Sequence, residues 1–105
     1  MVEIIFNKLV RDGIPDKVLN NGETPIYRTL NDDEYKIELL KKLIEEAREL
    51  LETPNIEERA DIAEILKSID GIYAFSQSDI ESVRVEKLHK RGGFSKKIFL
   101  EKTKN

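Results

Sequence analysis

The stretch EEARELLETPNIEERAD, from Glu45 to Asp61, decides how this chain folds. It holds two carboxylate pairs, Glu46 with Glu49 and Glu58 with Asp61. Between them, Thr53-Pro54 reads as a helix stop followed by a helix start, since proline breaks a helix before it and suits the first turn of a helix after it. If the two flanking helices fold back on each other at that point, Glu49 comes level with Glu58 and Glu46 with Asp61. Each pair then spans about 4.5 Å along its helix axis and projects from one face. Two unit charges about 4 Å apart repel by roughly 4 kcal/mol at the dielectric of a protein surface. A divalent cation would turn that repulsion into attraction.

The pattern outward from this hairpin is helical. A helix is expected from Asn31 or Asp32 to about Glu52, opened by a capping box of Asn31 and Glu34. Ile37, Leu40, Ile44, Ala47 and Leu51 mark its apolar stripe, widened by Leu39, Leu43 and Leu50. Glu46 interrupts that apolar face, and a carboxylate there needs a partner. The second long helix is expected to hold Pro54 in its first turn and to run to about Phe75, with Ile62, Ile65, Leu66, Ile69, Ile72 and Tyr73 as its core face. Ser78 and Glu81 resemble another capping box, opening a helix that carries Ile80, Val83, Val85 and Leu88 and stops at Gly92 and Gly93. Near the start, Pro15 suits the first turn of a short helix through about Asn21, stopped by Gly22. Residues 23–30 and the apolar tail around Ile98, Phe99 and Leu100 read as extended. The expectation is an all-α single domain over 1–105, an antiparallel helical hairpin plus further helices in a bundle, with short extended segments near the termini.

Composition narrows the chemistry. The chain has 105 residues, 37% of them charged, no cysteine and one histidine, His89. Disulfides, thiolate metal sites and multi-histidine zinc centres within one chain are therefore excluded. A bound metal must be held by oxygen, which favours magnesium, manganese or calcium. Neither a signal peptide nor a membrane-spanning run is evident, so a cytoplasmic protein without membrane or nucleic-acid-polymer partners is expected. The net charge of −3 hides an asymmetry: twelve acids and five bases from Asp32 to Glu64, but eight bases and two acids from Arg84 to Asn105. An acidic centre suits a metal and a basic tail suits phosphate.

Spacing alone leaves two readings of the carboxylates. They are a metal site, or a solvated face on which Lys42 and Arg48 serve Glu46 and Glu49, and Arg59 serves Glu58. Further residues bear on the choice. Glu45-Glu46-x-x-Glu49 followed by Glu58-x-x-Asp61 resembles the signature of the MazG-like all-α nucleoside triphosphate pyrophosphohydrolases, although the spacer between Glu49 and Glu58 is shorter than is usual there. Asn7-Lys8-Leu9-Val10-Arg11-Asp12-x-Ile14-Pro15 resembles the opening motif of one branch, the predicted house-cleaning pyrophosphatases of non-standard nucleotides. Lys90-Arg91-Gly92-Gly93-Phe94 with Ile98-Phe99-Leu100 resembles the closing motif of that branch.

The resemblance implies hydrolysis of a nucleoside triphosphate to monophosphate and pyrophosphate with Mg2+, Mn2+ being the alternative ion. It implies Glu46, Glu49, Glu58 and Asp61 as metal ligands. Glu45 and Glu46 become the catalytic carboxylates, with Glu45 activating or orienting the water although it points about 100° away from Glu46 around the helix. Glu64 is a further acid on the Asp61 face. Lys8, Arg11, Arg91, Gly92, Gly93 and Phe94 become the substrate-binding residues: guanidinium groups match phosphate oxygens, glycines let backbone amides approach, and an aromatic ring can stack on a base. A homodimer or larger homo-oligomer is expected, because so few helices leave apolar surface uncovered. Two other readings remain open: a non-catalytic helical module for nucleotide binding or oligomerisation, and a phosphoribosyl-ATP pyrophosphohydrolase-like enzyme.

Overall fold

The computed structural model describes residues 2–105. All regular structure among them is helical: α1 (Ile14–Asn20), α2 (Asp32–Glu52), α3 (Ile56–Ile72) and α4 (Gln77–Arg91). The fold class is all-α, as the apolar periodicity indicates, and among the described residues no helix is long and apolar enough to cross a membrane. Among the described residues, the segments before α1, between α1 and α2, and after α4 carry no strand. The chain divides into two compact units, the first ending at Ala74 and the second running from Phe75 to Asn105.

In the first unit α2 packs on α3. The hairpin is antiparallel: Lys36 Nζ lies 5.3 Å from the Tyr73 ring centroid, while Glu46, further along α2, meets Asp61, further back along α3. Leu39, Ile65 and Ile69 form the buried core, flanked by the partly buried Leu9, Tyr35, Leu43, Ile72 and Tyr73. Burying a side chain of this size contributes about 1.5–3 kcal/mol, so a few such contacts anchor the end of the hairpin remote from its turn.

Four expectations are corrected in detail. α3 begins at Ile56 rather than with Pro54 in its first turn. Asn55 is in extended conformation and its side chain accepts from the Glu58 backbone N–H at 2.8 Å, a capping role that proline cannot fill. Pro54 lies just outside. α3 also ends at Ile72, short of Phe75, because Ala74 turns left-handed at φ 56°. The cap of α4 is Ser76, accepting from Asp79 N–H at 3.1 Å, so the helix starts two residues earlier than a Ser78 box requires.

The fourth correction concerns the buried face of α2. Ile37, Ile44 and Leu51 are 56%, 52% and 84% exposed, and the core instead takes the face of Leu39, Leu43, Glu46 and Leu50. α2 is apolar on two faces, and α3 covers the one bearing Glu46. At its start Asn31 caps α2 as expected, accepting from Glu34 N–H at 2.9 Å. The Glu34 carboxylate binds Arg28 at 2.8 Å instead of closing a capping box. Replacing Asn55 by alanine is expected to cost about 1 kcal/mol in a urea denaturation of the metal-free protein, and replacement by glycine only a few tenths.

Candidate metal centre

Glu46 lies one and two turns after Leu43 and Leu39 on the face that α3 covers, and its own burial follows from theirs. It is 6% exposed and is the buried charged residue of the chain among those described. Its Oε2 has no hydrogen-bond partner, and neither does Oε2 of Glu58 on the facing helix. Carboxylate oxygens of Glu46, Glu58 and Asp61 lie within 4.8 Å of one another, as do those of Glu45, Glu46 and Glu49. Glu46 belongs to both groups. The hairpin thus brings together all five acids singled out in the sequence. Glu64 is outside both groups; its backbone carbonyl accepts from Ser68 Oγ at 3.1 Å.

Among the described residues, three cations touch the cluster. Lys8 Nζ binds Glu45 Oε1 at 2.8 Å, and an Arg11 guanidinium nitrogen binds Asp61 Oδ1 at 2.8 Å. Lys42, half-buried one turn before Glu46, lies 3.5 Å from both Glu45 and Glu46. Five carboxylates against three contacting cations leave a deficit of two positive charges. That deficit equals the charge of one divalent ion.

The electrostatics follow from this arrangement. Burial, then the adjoining Glu49 carboxylate and the charge of Asp61, push the Glu46 carboxyl up to about 7, against the pull of Lys42. Burial and then Glu49 also raise the Glu58 carboxyl. Glu45 moves the other way, held below the usual carboxylate range by its hydrogen bond to Lys8 and the charge of Lys42. Lys8 is raised in turn, chiefly by the Glu45 hydrogen bond.

Lys8 and Arg11 therefore face the carboxylates directly, a pairing that spacing did not suggest. The one available signal was their placement on either side of Leu9, which packs on the core. Arg91, Gly92, Gly93 and Phe94 belong to the second unit. Arg91 is the last residue of α4 and Gly92 its cap. Gly92 has φ +81°, a conformation that favours glycine, and its N–H is committed to Leu88 O at 2.9 Å. A side chain at Gly93 would meet Leu88 Cδ1 at 3.4 Å. The Phe94 ring is 98% exposed.

No family model matches the chain, and no solved structure matches it. It is similar to an uncharacterized protein of Mycolicibacterium smegmatis, with 54% identity over 43 residues. The similarity spans 41% of this chain and 44% of that protein.

The raised carboxyls set the pH dependence of the metal-free protein. A carboxyl raised in the folded state stabilises it below the unfolded value near 4.5, and this contribution is lost as pH rises towards about 7. The lowered carboxyls titrate below that window. In chelator, the thermal midpoint should fall between pH 5 and 7. Glu46→Gln should flatten this slope and raise the midpoint at neutral pH.

Proposed function

We propose that this chain is a magnesium-dependent nucleoside triphosphate pyrophosphohydrolase. In this reading it converts a nucleoside triphosphate and water to the monophosphate and pyrophosphate, and non-standard nucleotides are its substrates. The observation that carries the reading is Glu46, a buried carboxylate with one oxygen unpaired, grouped across the hairpin with Glu58, whose Oε2 is also buried and unpaired. Lys42 reaches only the other Glu46 oxygen, and a buried acceptor left unsatisfied costs about 1–3 kcal/mol, more when charged. Such a residue is explained by a ligand that uses it.

The residues fit the ion. Every donor is a carboxylate oxygen, the chemistry that magnesium prefers and that manganese accepts, and the charge deficit of two matches one divalent cation. Glu46, Glu49, Glu58 and Asp61 would hold it. Bound there, the ion would offset charge on the phosphate oxygens and orient a water. Glu45, kept ionised by Lys8 and Lys42, orients that water and accepts its proton. The water oxygen bonds to the α-phosphorus, the bond to the oxygen bridging to the β-phosphorus breaks, and pyrophosphate leaves. Lys8 and Arg11 supply the cations for phosphate oxygens.

The exposed face of α2 supports a further part of the reading, a homodimer or larger homo-oligomer. Ile37, Leu40, Ile44 and Leu51 recur at helical spacing and remain exposed, the arrangement that a second copy would cover in a bundle.

Incubation with magnesium and a panel of standard and damaged nucleoside triphosphates should release monophosphate and pyrophosphate in equal amounts. Release of single phosphates, or no metal-dependent release across the panel, would overturn the assignment. Loss of an outer-shell partner of a metal already costs 10–100-fold, so Glu46→Ala and Asp61→Ala should each lower turnover by more than about a hundredfold. Ile44→Glu should shift the protein to monomer in sedimentation velocity, and a wild-type monomer would refute the oligomer.

A further inference from the structure

We infer that the segment Asn7–Asp12 is a built-in competitor for the metal: Arg11 occupies Asp61 in the metal-free chain and exchanges with the incoming cation. This inference rests on the metal reading proposed above, and its test separates the two. The geometry is direct. Asp61 contributes a carboxylate oxygen to the cluster it forms with Glu46 and Glu58, and the Arg11 guanidinium donates to Oδ1 of that same carboxylate at 2.8 Å. Lys8 does the same on the neighbouring group, donating to Glu45 Oε1 at 2.8 Å. A carboxylate oxygen held by a guanidinium is a poorer metal ligand, because the ion must displace the donor and overcome its charge.

The segment is shaped for such an exchange. Leu9, between the two cations, packs against the core and fixes the strap at its middle. The Arg11 carbonyl accepts from Ile14 N–H at 3.0 Å where the chain enters α1, so the backbone stays in place when the side chain leaves. The Arg11 side chain is 60% exposed, free to turn outward. Both contacts are exposed ion pairs, which are weak and salt-sensitive, as a reversible exchange requires. Once released, Arg11 stays tethered beside the loaded centre with its guanidinium free for an anionic ligand. Metal binding therefore hands the substrate-facing cation over at the moment the ion arrives. Arg11 thereby couples metal occupancy to anion binding.

The test needs no turnover. Mn2+ is titrated calorimetrically into chelator-stripped full-length protein at low ionic strength, without nucleotide. Arg11→Gln should bind Mn2+ about two- to fivefold more tightly than wild type, the range expected for loss of one exposed ion pair. Arg11→Lys, which keeps the charge, should fall between the two. Arg28→Gln removes the same charge from the Arg28–Glu34 pair outside the cluster and should leave the affinity unchanged. Unchanged or weaker binding by Arg11→Gln, or an equal gain in Arg28→Gln, overturns the exchange while leaving the metal site standing. Absence of Mn2+ binding by wild type overturns the metal reading and this inference with it. Should Arg11→Gln fail to fold, the wild-type protein still decides: its Arg11 side-chain NMR resonance should shift on stoichiometric Mg2+, and an unmoved resonance refutes the exchange.

Discussion

The repulsion among carboxylates that the α2–α3 hairpin brings to one level is the constraint to which the rest of the first unit answers. The hairpin is divided along its length. Away from the turn, Leu39 meets Ile65 and Ile69 in an apolar clamp; nearer the turn, Glu46 meets Glu58 and Asp61. Hydrophobic contact at one end forces like charges together at the other, because both sets of residues share the same helix faces. Were the helices free to splay, the acids would separate and hydrate. Asn55 caps α3 and the Thr53 N–H, which donates to Glu49 O at 2.9 Å, ends α2, so the chain reverses within a few residues.

The segment before α1 makes sense in the same terms. Chain without regular structure is normally mobile surface, yet here Leu9 lies on the core and Lys8 and Arg11 reach acids 37 and 50 residues away. These are long-range contacts made by a strap with no hydrogen-bonded ladder of its own. Its placement is electrostatic as much as apolar: the acid cluster needs cations, and α2 and α3 provide only Lys42 in contact with it.

Much of this was legible in the sequence, and the limits have physical causes. Periodicity of apolar residues placed α2 and α3, and the three-residue spacing of Glu46 with Glu49 and of Glu58 with Asp61 placed four of the five acids on the hairpin. Helix starts were less legible where two polar residues compete. Ser76 and Ser78 are equally good caps in sequence, and only backbone conformation selects Ser76; Pro54 and Asn55 compete likewise, and the side-chain acceptor decides. The apolar stripe of α2 misled because Ile37, Ile44 and Leu51 are as hydrophobic as the residues that pack. Which of two apolar faces meets α3 is a tertiary matter. The partnering of Lys8 with Glu45 and of Arg11 with Asp61 was not legible, since nothing local encodes a contact between an irregular segment and a helix so far along the chain.

Three species can balance the acid cluster, and they differ in what they leave behind. A proton on Glu46 removes one charge, but only near and below pH 7, and it removes a ligand as well. Lys8, Arg11 and Lys42 offset three charges, yet leave two carboxylate oxygens buried and unsatisfied. A divalent ion would remove two charges and coordinate such oxygens directly, which the side-chain cations do not. Under the proposed function the cations would also answer a problem the carboxylates create. A polyphosphate is itself strongly anionic and would be repelled by five carboxylates, whatever metal sits among them, unless positive side chains stood at the rim. Lys8 and Arg11 stand there, at 42% and 60% side-chain exposure, half on the acids and half in solvent. A residue so placed can serve the empty cluster and an arriving phosphate in turn, which a fully buried cation could not.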